Sequence, residues 1–170
     1  MILGISIATF TTIHVMLSLI GIGAGFVVLI GMIQGKHLGM WAAIFLAFTI
    51  MTSVTGFPIP PLGLDPPRVV GILSLLLLMM ACAALYVFSL SGPWRWIYVV
   101  TATAALYFNC FVGVIQAFQK ISFVNALAPT QSESPFAIAQ VAVLIVFVAL
   151  GAIAVKNFYP RQRQSAFSAR

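Results

Sequence analysis

Five long apolar stretches, separated by short polar connections, dominate the pattern of hydrophobic and polar positions along this chain. Each stretch is near or above the ~20 residues that a helix needs to cross about 30 Å of hydrocarbon. They cover residues 6–33, 39–57, 68–90, 95–119 and 136–156. The pattern therefore predicts an all-α fold, a polytopic transmembrane bundle of five helical spans.

The prolines support this division of the chain. All nine lie outside the apolar stretches or at their edges, and proline inside a helix removes a hydrogen-bond donor and clashes with the preceding turn. The stretch at 39–57 is the shortest of the five. A re-entrant segment at 39–57 is the alternative, and it would leave four full spans.

Composition indicates the solvent that surrounds these helices. Of the 170 residues, 62% are hydrophobic and only 6% are charged, whereas a soluble domain carries about 25% charged residues. Because so few charged residues cannot cover the surface of a soluble protein, we expect the helices to be surrounded mainly by the lipid bilayer. We expect a single transmembrane domain over residues 1–156 and a basic tail over residues 157–170.

The first stretch is predicted to be a retained transmembrane helix. No positively charged segment precedes it, and its uncharged run extends from Met1 to Gly35. That run is far longer than the ~7–15 apolar residues of a cleavable signal peptide.

The distribution of basic residues predicts the orientation. Cytoplasmic connections carry an excess of Lys and Arg. With five spans, six basic residues fall on one side: Lys36, Arg95, Lys156, Arg161, Arg163 and Arg170. The other side receives the two remaining basic residues and both acidic ones, which we expect to form ion pairs in the outer loops: Asp65, Arg68, Lys120 and Glu133. The N-terminus is therefore predicted outside and the C-terminus in the cytoplasm.

The first span carries a face of small and polar residues. Its members recur at offsets of 3, 4, 3 and 4, and they are Thr11, His14, Ser18, Gly21 and Gly25. Such spacing places them on one side of a helix, where small residues allow a neighbouring helix to approach closely. We therefore predict helix packing through Ser18, Gly21 and Gly25.

His14 is the only ionisable residue well inside the first span. An ionisable group within a membrane is a candidate functional group. His14 is predicted either to contact a bound molecule or to carry a proton. The alternative is a structural role, with a neutral imidazole bonded to Ser18, to Thr11 or to another helix.

The fourth span carries a second such face, formed by Ala102, Ala105, Asn109, Gly113, Gln116 and Lys120. At about 1.5 Å per residue, the depth of His14 falls between those of Asn109 and Gln116. We predict that the two faces meet, with Gly113 in the contact. Amides that only bridge helices are the alternative interpretation.

Polar residues in the remaining spans lie mostly in the outer half. They are Thr49, Thr52, Ser53, Thr55, Ser74 and Gln140. This shared bias predicts a polar cluster that opens toward the outside. The candidate ligand-binding residues are His14, Asn109, Gln116 and Gln140.

Several kinds of chemistry are not expected. No Asp or Glu lies within a span, which disfavours a carboxylate-driven antiporter such as the small multidrug transporters. His37 lies in a connection far from the depth of His14, so a bis-histidine haem is disfavoured. No cluster of three or four metal ligands is evident, and Cys82 and Cys110 form no CxxC motif. We expect no metal, no cofactor and no catalytic residues.

Two functions remain. The first is a non-enzymatic accessory, assembly or helix-packing subunit, whose partner is another membrane protein or a second copy of the chain. The alternative is a binder or facilitator of a small apolar molecule, a lipid or a quinone, that enters from the outer leaflet. Nucleic acid is not an expected partner, because the basic residues form no stripe with interleaved aromatics. In its general features the chain resembles small bacterial inner-membrane proteins, and we expect that localisation.

Overall fold

A computed structural model describes residues 1–2, 4–60 and 66–159 of the chain. Of these residues, 80% are helical and none belongs to a β-strand, so the predicted all-α fold is confirmed. The six α-helices are α1 (Ile7–Ile33), α2 (Gly39–Gly56), α3 (Pro66–Cys82), α4 (Trp94–Lys120), α5 (Ser122–Asn125) and α6 (Ser134–Asn157).

Five of these helices are long and apolar enough to cross a membrane, α3 together with its π-helical extension Ala83–Val87. The predicted number of helices of membrane-spanning length and hydropathy is thus confirmed. Helix α2 is continuous over 18 residues, which corresponds to about 27 Å. Helix α6 begins at Ser134, two residues before the predicted boundary, because proline fits the first turn of a helix, where its missing N–H is not needed.

The third span ends earlier than the apolar stretch. The stretch continues to Leu90, but Ser89 and Leu90 have φ values of 47° and 58°. This left-handed conformation cannot continue a right-handed helix. Apolar residues at 88–90 therefore belong to the turn that connects to α4.

Helix α5 was not predicted. It is a single turn directly after α4, and Asn125 Nδ2 donates to the carbonyl oxygen of Phe118 at 2.8 Å. This bond satisfies one of the carbonyl groups left open at the end of α4.

The helices alternate in direction between two ends of the bundle. At the turn end lie the short connections 34–38 and 88–93, and Asn157 Nδ2 donates there to the carbonyl oxygen of Ile33 at 3.1 Å. Arg95 Nη1 donates at the same end to the carbonyl oxygen of Val155 at 3.0 Å. The opposite end, the loop end, holds residues 57–60 after α2 and residues 121–133.

The packed core fills the half of the bundle nearest the turn end. Its largest fully buried side chains include Leu29, Phe45, Leu78, Tyr98 and Leu106. In the other half, α1, α2, α3 and α4 separate and line a cavity.

The small-residue face of α1 is part of this packing. A Cβ atom on Gly25 would lie 2.5 Å from Leu106 Cδ1 and 2.9 Å from Phe45 Cδ2. A Cβ atom on Gly21 would lie 3.1 Å from Thr49 Oγ1. Both glycines therefore allow α1 to approach α2, and Gly25 also allows it to approach α4.

Candidate functional site

The cavity in the loop half has a volume of about 570 Å³. Its wall is formed by residues from 11–22 of α1, 52–60 at the end of α2, 67–74 of α3 and 108–120 of α4. No described residue of α6 contributes to the wall. Cavities of 300–1,000 Å³ accommodate drug-sized ligands, so the space fits a small organic molecule.

His14 lines the cavity from α1 and is held by α2. Its Nδ1 atom lies 2.9 Å from Thr55 Oγ1. The Thr55 hydroxyl in turn donates to the carbonyl oxygen of Met51 at 2.7 Å. On the α1 side, Ser18 Oγ donates to the carbonyl oxygen of His14 at 3.1 Å. The ring is therefore fixed by a neighbouring helix, and Ser18 bonds the backbone of His14 instead of its ring.

Asn109 and Gln116 line the same cavity from α4. Asn109 Nδ2 donates to Thr49 Oγ1 at 3.4 Å, and Gln116 Nε2 donates to Gln119 Oε1 at 3.5 Å. Neither amide bonds to His14 within the described part of the chain. The structure thus arranges His14, Asn109 and Gln116 around an open space, where a molecule between the helices can reach all three.

Gln140 lies elsewhere. It is on α6, where its Nε2 atom donates to the carbonyl oxygen of Phe111 at 3.2 Å, and it does not line the cavity. The sequence pattern gave its depth in the bundle correctly as near the loop end. It could not show on which side of α4 the last helix packs, because that depends on how the faces of both helices fit.

Gly113 lines the cavity and does not pack against a neighbouring helix, contrary to the prediction from its position on the small-residue face. A Cβ atom on Gly113 would have no other atom within 4 Å, apart from its own helical surroundings. Ser18, also predicted in the packing face, lines the cavity as well. Of the four predicted packing residues, Gly21 and Gly25 are the two that make close helix contacts.

Two buried hydroxyl groups of the cavity wall have no partner. Thr52 and Ser74 are only 7% and 3% exposed, and their Oγ atoms form no hydrogen bond within the described residues. Hydroxyls in transmembrane helices commonly bond to their own preceding turn. A buried polar group without a partner costs about 1–3 kcal/mol. Their only sequence signal was the shared bias of polar residues toward one half of the bundle.

Two cations stand where the cavity meets the loop end. Arg68 and Lys120 both line it. Arg68 Nη2 donates to the carbonyl oxygens of Phe57 at 3.1 Å and Ile59 at 2.7 Å, and so binds the chain that follows α2. Asp65, predicted together with Arg68 among the ion-pairing residues of the outer loops, lies outside the described residues.

Glu133 does not form the predicted ion pair with Lys120. Its carboxylate accepts hydrogen bonds from Thr130 Oγ1 at 2.9 Å, from the Thr130 amide at 3.2 Å and from the Ser132 amide at 3.1 Å. Desolvation opposes ionisation, but these bonds and one from its own amide hold the pKa of the Glu133 carboxyl below its ordinary value. Donors one and three residues away satisfy the Glu133 carboxylate. Hydrogen bonds to these nearby groups are favoured over an ion pair, because they do not require the long side chain of Lys120 to be ordered.

The His, Cys, Asp and Glu side chains of the described residues do not form a metal centre. Within residues 1–2, 4–60 and 66–159, no three side chains of His, Cys, Asp or Glu lie close enough together to hold an ion. His37 lies in the connection before α2, where burial lowers the pKa of its imidazole. The predicted tail is described only as far as residue 159, so Arg161, Arg163 and Arg170 lie outside the described residues.

The fold and the cavity define a helical bundle of membrane-spanning character with a ligand-sized space in the half near the loop end. Compared with models of known protein families, with curated proteins and with solved structures, the chain has no significant match. The geometry of this cavity is therefore the basis for assigning a function.

Proposed function

We propose that this protein binds a small, mostly apolar molecule with a polar head group, of the chemical class of a quinone or a lipid. The observation that carries the proposal is a cavity of about 570 Å³ on which polar side chains of two helices converge, namely His14, Asn109 and Gln116. Imidazole and amide groups can both donate hydrogen bonds to a ligand head group and accept them from it.

The rest of the wall suits such a ligand. Apolar side chains form much of it, among them Leu19, Ile22, Phe108 and Val112. A few polar groups converge from different helices, and apolar pockets with a few placed polar groups are the usual design of small-molecule sites. The apolar wall would hold the body of the molecule, and the polar groups would fix its head.

The alternative role as an accessory subunit receives less support from the packing. A small-residue face left free to contact a partner helix would support that role. Gly21 and Gly25 instead face α2 and α4 of the same chain. Binding in the cavity is therefore the function that the geometry supports best.

We also place the loop end on the outer side of a bacterial inner membrane. Support comes from the sequence, where six of the eight basic residues fall on the side of the turn end and the tail. In this orientation the cavity lies in the outer half of the bilayer, and an apolar molecule dissolved in that leaflet would enter it.

The experiment fills the cavity with a side chain. Gly113→Leu projects an isobutyl group into the open space, whereas Gly23→Leu adds the same group to an exposed position of α1 with no atom near its Cβ. Both variants and the wild type are purified in mild detergent and compared by native mass spectrometry for co-purified small molecules. We expect a bound molecule on the wild type and on Gly23→Leu, and its loss from Gly113→Leu.

A thermal unfolding measurement on each sample establishes that the variants are folded. The proposal is wrong if folded Gly113→Leu retains the same molecule as the wild type. It is equally wrong if no preparation carries a molecule, and an oligomer or partner complex in that case would favour the accessory role.

A further inference from the structure

The hydrogen bonds around His14 favour a proton on one of its two ring nitrogens. The Thr55 hydroxyl lies 2.7 Å from the carbonyl oxygen of Met51 and 3.2 Å from that of Thr52. Carbonyl oxygens only accept hydrogen bonds, and a hydroxyl has a single proton to give. Two nearby acceptors on its own helix favour a Thr55 proton directed at α2, which leaves the hydroxyl oxygen to accept from the imidazole.

The contact between Thr55 and His14 then has one direction. At 2.9 Å, Nδ1 of His14 and Oγ1 of Thr55 form a hydrogen bond in which one atom must donate. With the hydroxyl proton directed at α2, Nδ1–H of His14 is the donor. In the neutral ring the other nitrogen, Nε2, is then a hydrogen-bond acceptor.

This acceptor has no protein partner. Within the described residues Nε2 of His14 forms no hydrogen bond, and the ring is part of the cavity wall. Asn109 adds a second acceptor, its Oδ1 atom, because its Nδ2 group already donates to Thr49. The polar groups around the cavity therefore include acceptors that need a donor from the ligand.

The amides of Asn109 and Gln116 complete the set, because each NH₂ group uses one proton in a bond within the protein and has a second one to donate to a ligand. A head group that matches these groups must donate to His14 Nε2 and accept from an amide N–H. A single hydroxyl group does both, whereas a carbonyl oxygen or an ether oxygen only accepts.

From this geometry we infer that the ligand carries a hydroxyl head group, as in a quinol, a phenol or an alcohol, and that this hydroxyl donates to Nε2 of His14. The inference rests on the proposed function, since it names the ligand class of the same cavity. It separates a quinol from the corresponding quinone, which lacks the O–H donor.

Two probes that differ by one methyl group, which replaces the proton of this donor, test the inference. They are 4-nonylphenol and its methyl ether, 4-nonylanisole, titrated calorimetrically into the full chain in lipid nanodiscs, with empty nanodiscs to subtract partitioning. We expect the phenol to bind the wild type at least about tenfold more tightly than the ether. Such a ratio corresponds to one hydrogen bond gained in a site that otherwise leaves an acceptor unpaired.

Thr55→Val tests whether the imidazole tautomer sets this preference. Valine removes the acceptor of Nδ1–H, so the proton can move to Nε2 and the preference for the phenol should fall to within about threefold. Thr12→Val is the matched control, because Thr12 also donates to its own helix, at 3.0 Å to the carbonyl oxygen of Ala8, but does not line the cavity. Nitrogen-15 spectra of labelled histidine should show Nδ1 protonated in the wild type and in Thr12→Val.

The outcomes distinguish the inference from the proposed function. Equal binding of both probes by the wild type, abolished in Gly113→Leu, would overturn the hydroxyl preference and leave the binding function standing. Tighter binding of the ether, binding of neither probe, or a wild-type His14 protonated at Nε2 would also overturn the preference. The native mass spectra of Gly113→Leu and Gly23→Leu decide the binding function independently.

Discussion

At the scale of single residues, Thr52 and Thr103 show the free-energy cost of burying a hydroxyl group that has no hydrogen-bond partner. Thr52 and Thr103 are both buried, at 7% and 6% exposure, and both have an Oγ1 atom without a hydrogen-bond partner in the described residues. Only Thr52 lines the cavity. The pair therefore separates the effect of burying a hydroxyl from any effect of a position beside the cavity.

We predict that Thr52→Val and Thr103→Val both stabilise the ligand-free protein, by roughly 1 kcal/mol, because valine has nearly the same shape and needs no hydrogen bond. Neither substitution should change the affinity for 4-nonylphenol by more than about threefold, because the Oγ1 atoms of both residues are buried and not accessible to a ligand. Chemical unfolding in detergent and calorimetry measure the two effects. A loss of affinity confined to Thr52→Val would show instead that its hydroxyl reaches the ligand.

Several site residues could be predicted from the sequence because helical offsets are local. The offsets of Thr11, His14 and Ser18 on α1 and of Asn109 and Gln116 on α4 were enough to place these side chains on two faces, and the structure puts all of them on one cavity wall. Contacts across helices could not be predicted. The bond from His14 to Thr55 joins residues 41 positions apart, and no periodic pattern encodes such a pairing.

At the scale of helices, glycines with the same sequence appearance have different roles. Gly25 touches Leu106 and Phe45, whereas Gly113 faces open space and Gly23 has no atom near its Cβ position. All three were helix-interior glycines in an apolar stretch. Only the neighbouring helix decides whether the missing side chain is needed for packing, and the position of that neighbour is a property of the assembled bundle.

We predict that Gly25→Ala destabilises the bundle by about 1–3 kcal/mol, since the added methyl overlaps two side chains of the packed core. The control, Gly23→Ala, should be neutral or stabilising by up to about 1 kcal/mol, because alanine favours a helix over glycine. Thermal unfolding in the same detergent compares the two variants. A stable Gly25→Ala protein would mean that α1 does not approach α2 and α4 as closely as described.

At the scale of the whole molecule, the number of the long helices and most of their limits could be predicted, because hydrocarbon thickness and proline positions act on the sequence directly. The division of the bundle into a packed half and a hollow half could not. Core residues such as Leu29 and Tyr98 and cavity residues such as Leu19 and Phe108 belong to the same apolar stretches. Hydropathy does not distinguish a side chain that meets a neighbour from one that meets a void.

The proposed orientation predicts which end of the bundle is accessible from outside the cell. In a background in which Cys82 and Cys110 are replaced by alanine, a single cysteine is introduced by Ser132→Cys at the loop end or by Ser91→Cys at the turn end, both at exposed positions. A membrane-impermeant maleimide should label Ser132→Cys in intact cells. It should label Ser91→Cys only after the membranes are disrupted, and the reverse pattern would contradict the orientation.

The separation of the core from the cavity along the axis of the bundle also has a consequence for evolution. Fold stability depends mainly on the turn half, where Phe45, Tyr98 and Leu106 pack together, while the ligand would contact only the loop half. Mutations well separated in space usually have additive effects. Descendants of this chain could therefore exchange cavity residues such as Ser74 or Gln116, and so acquire new ligands, with little loss of the stability on which folding depends.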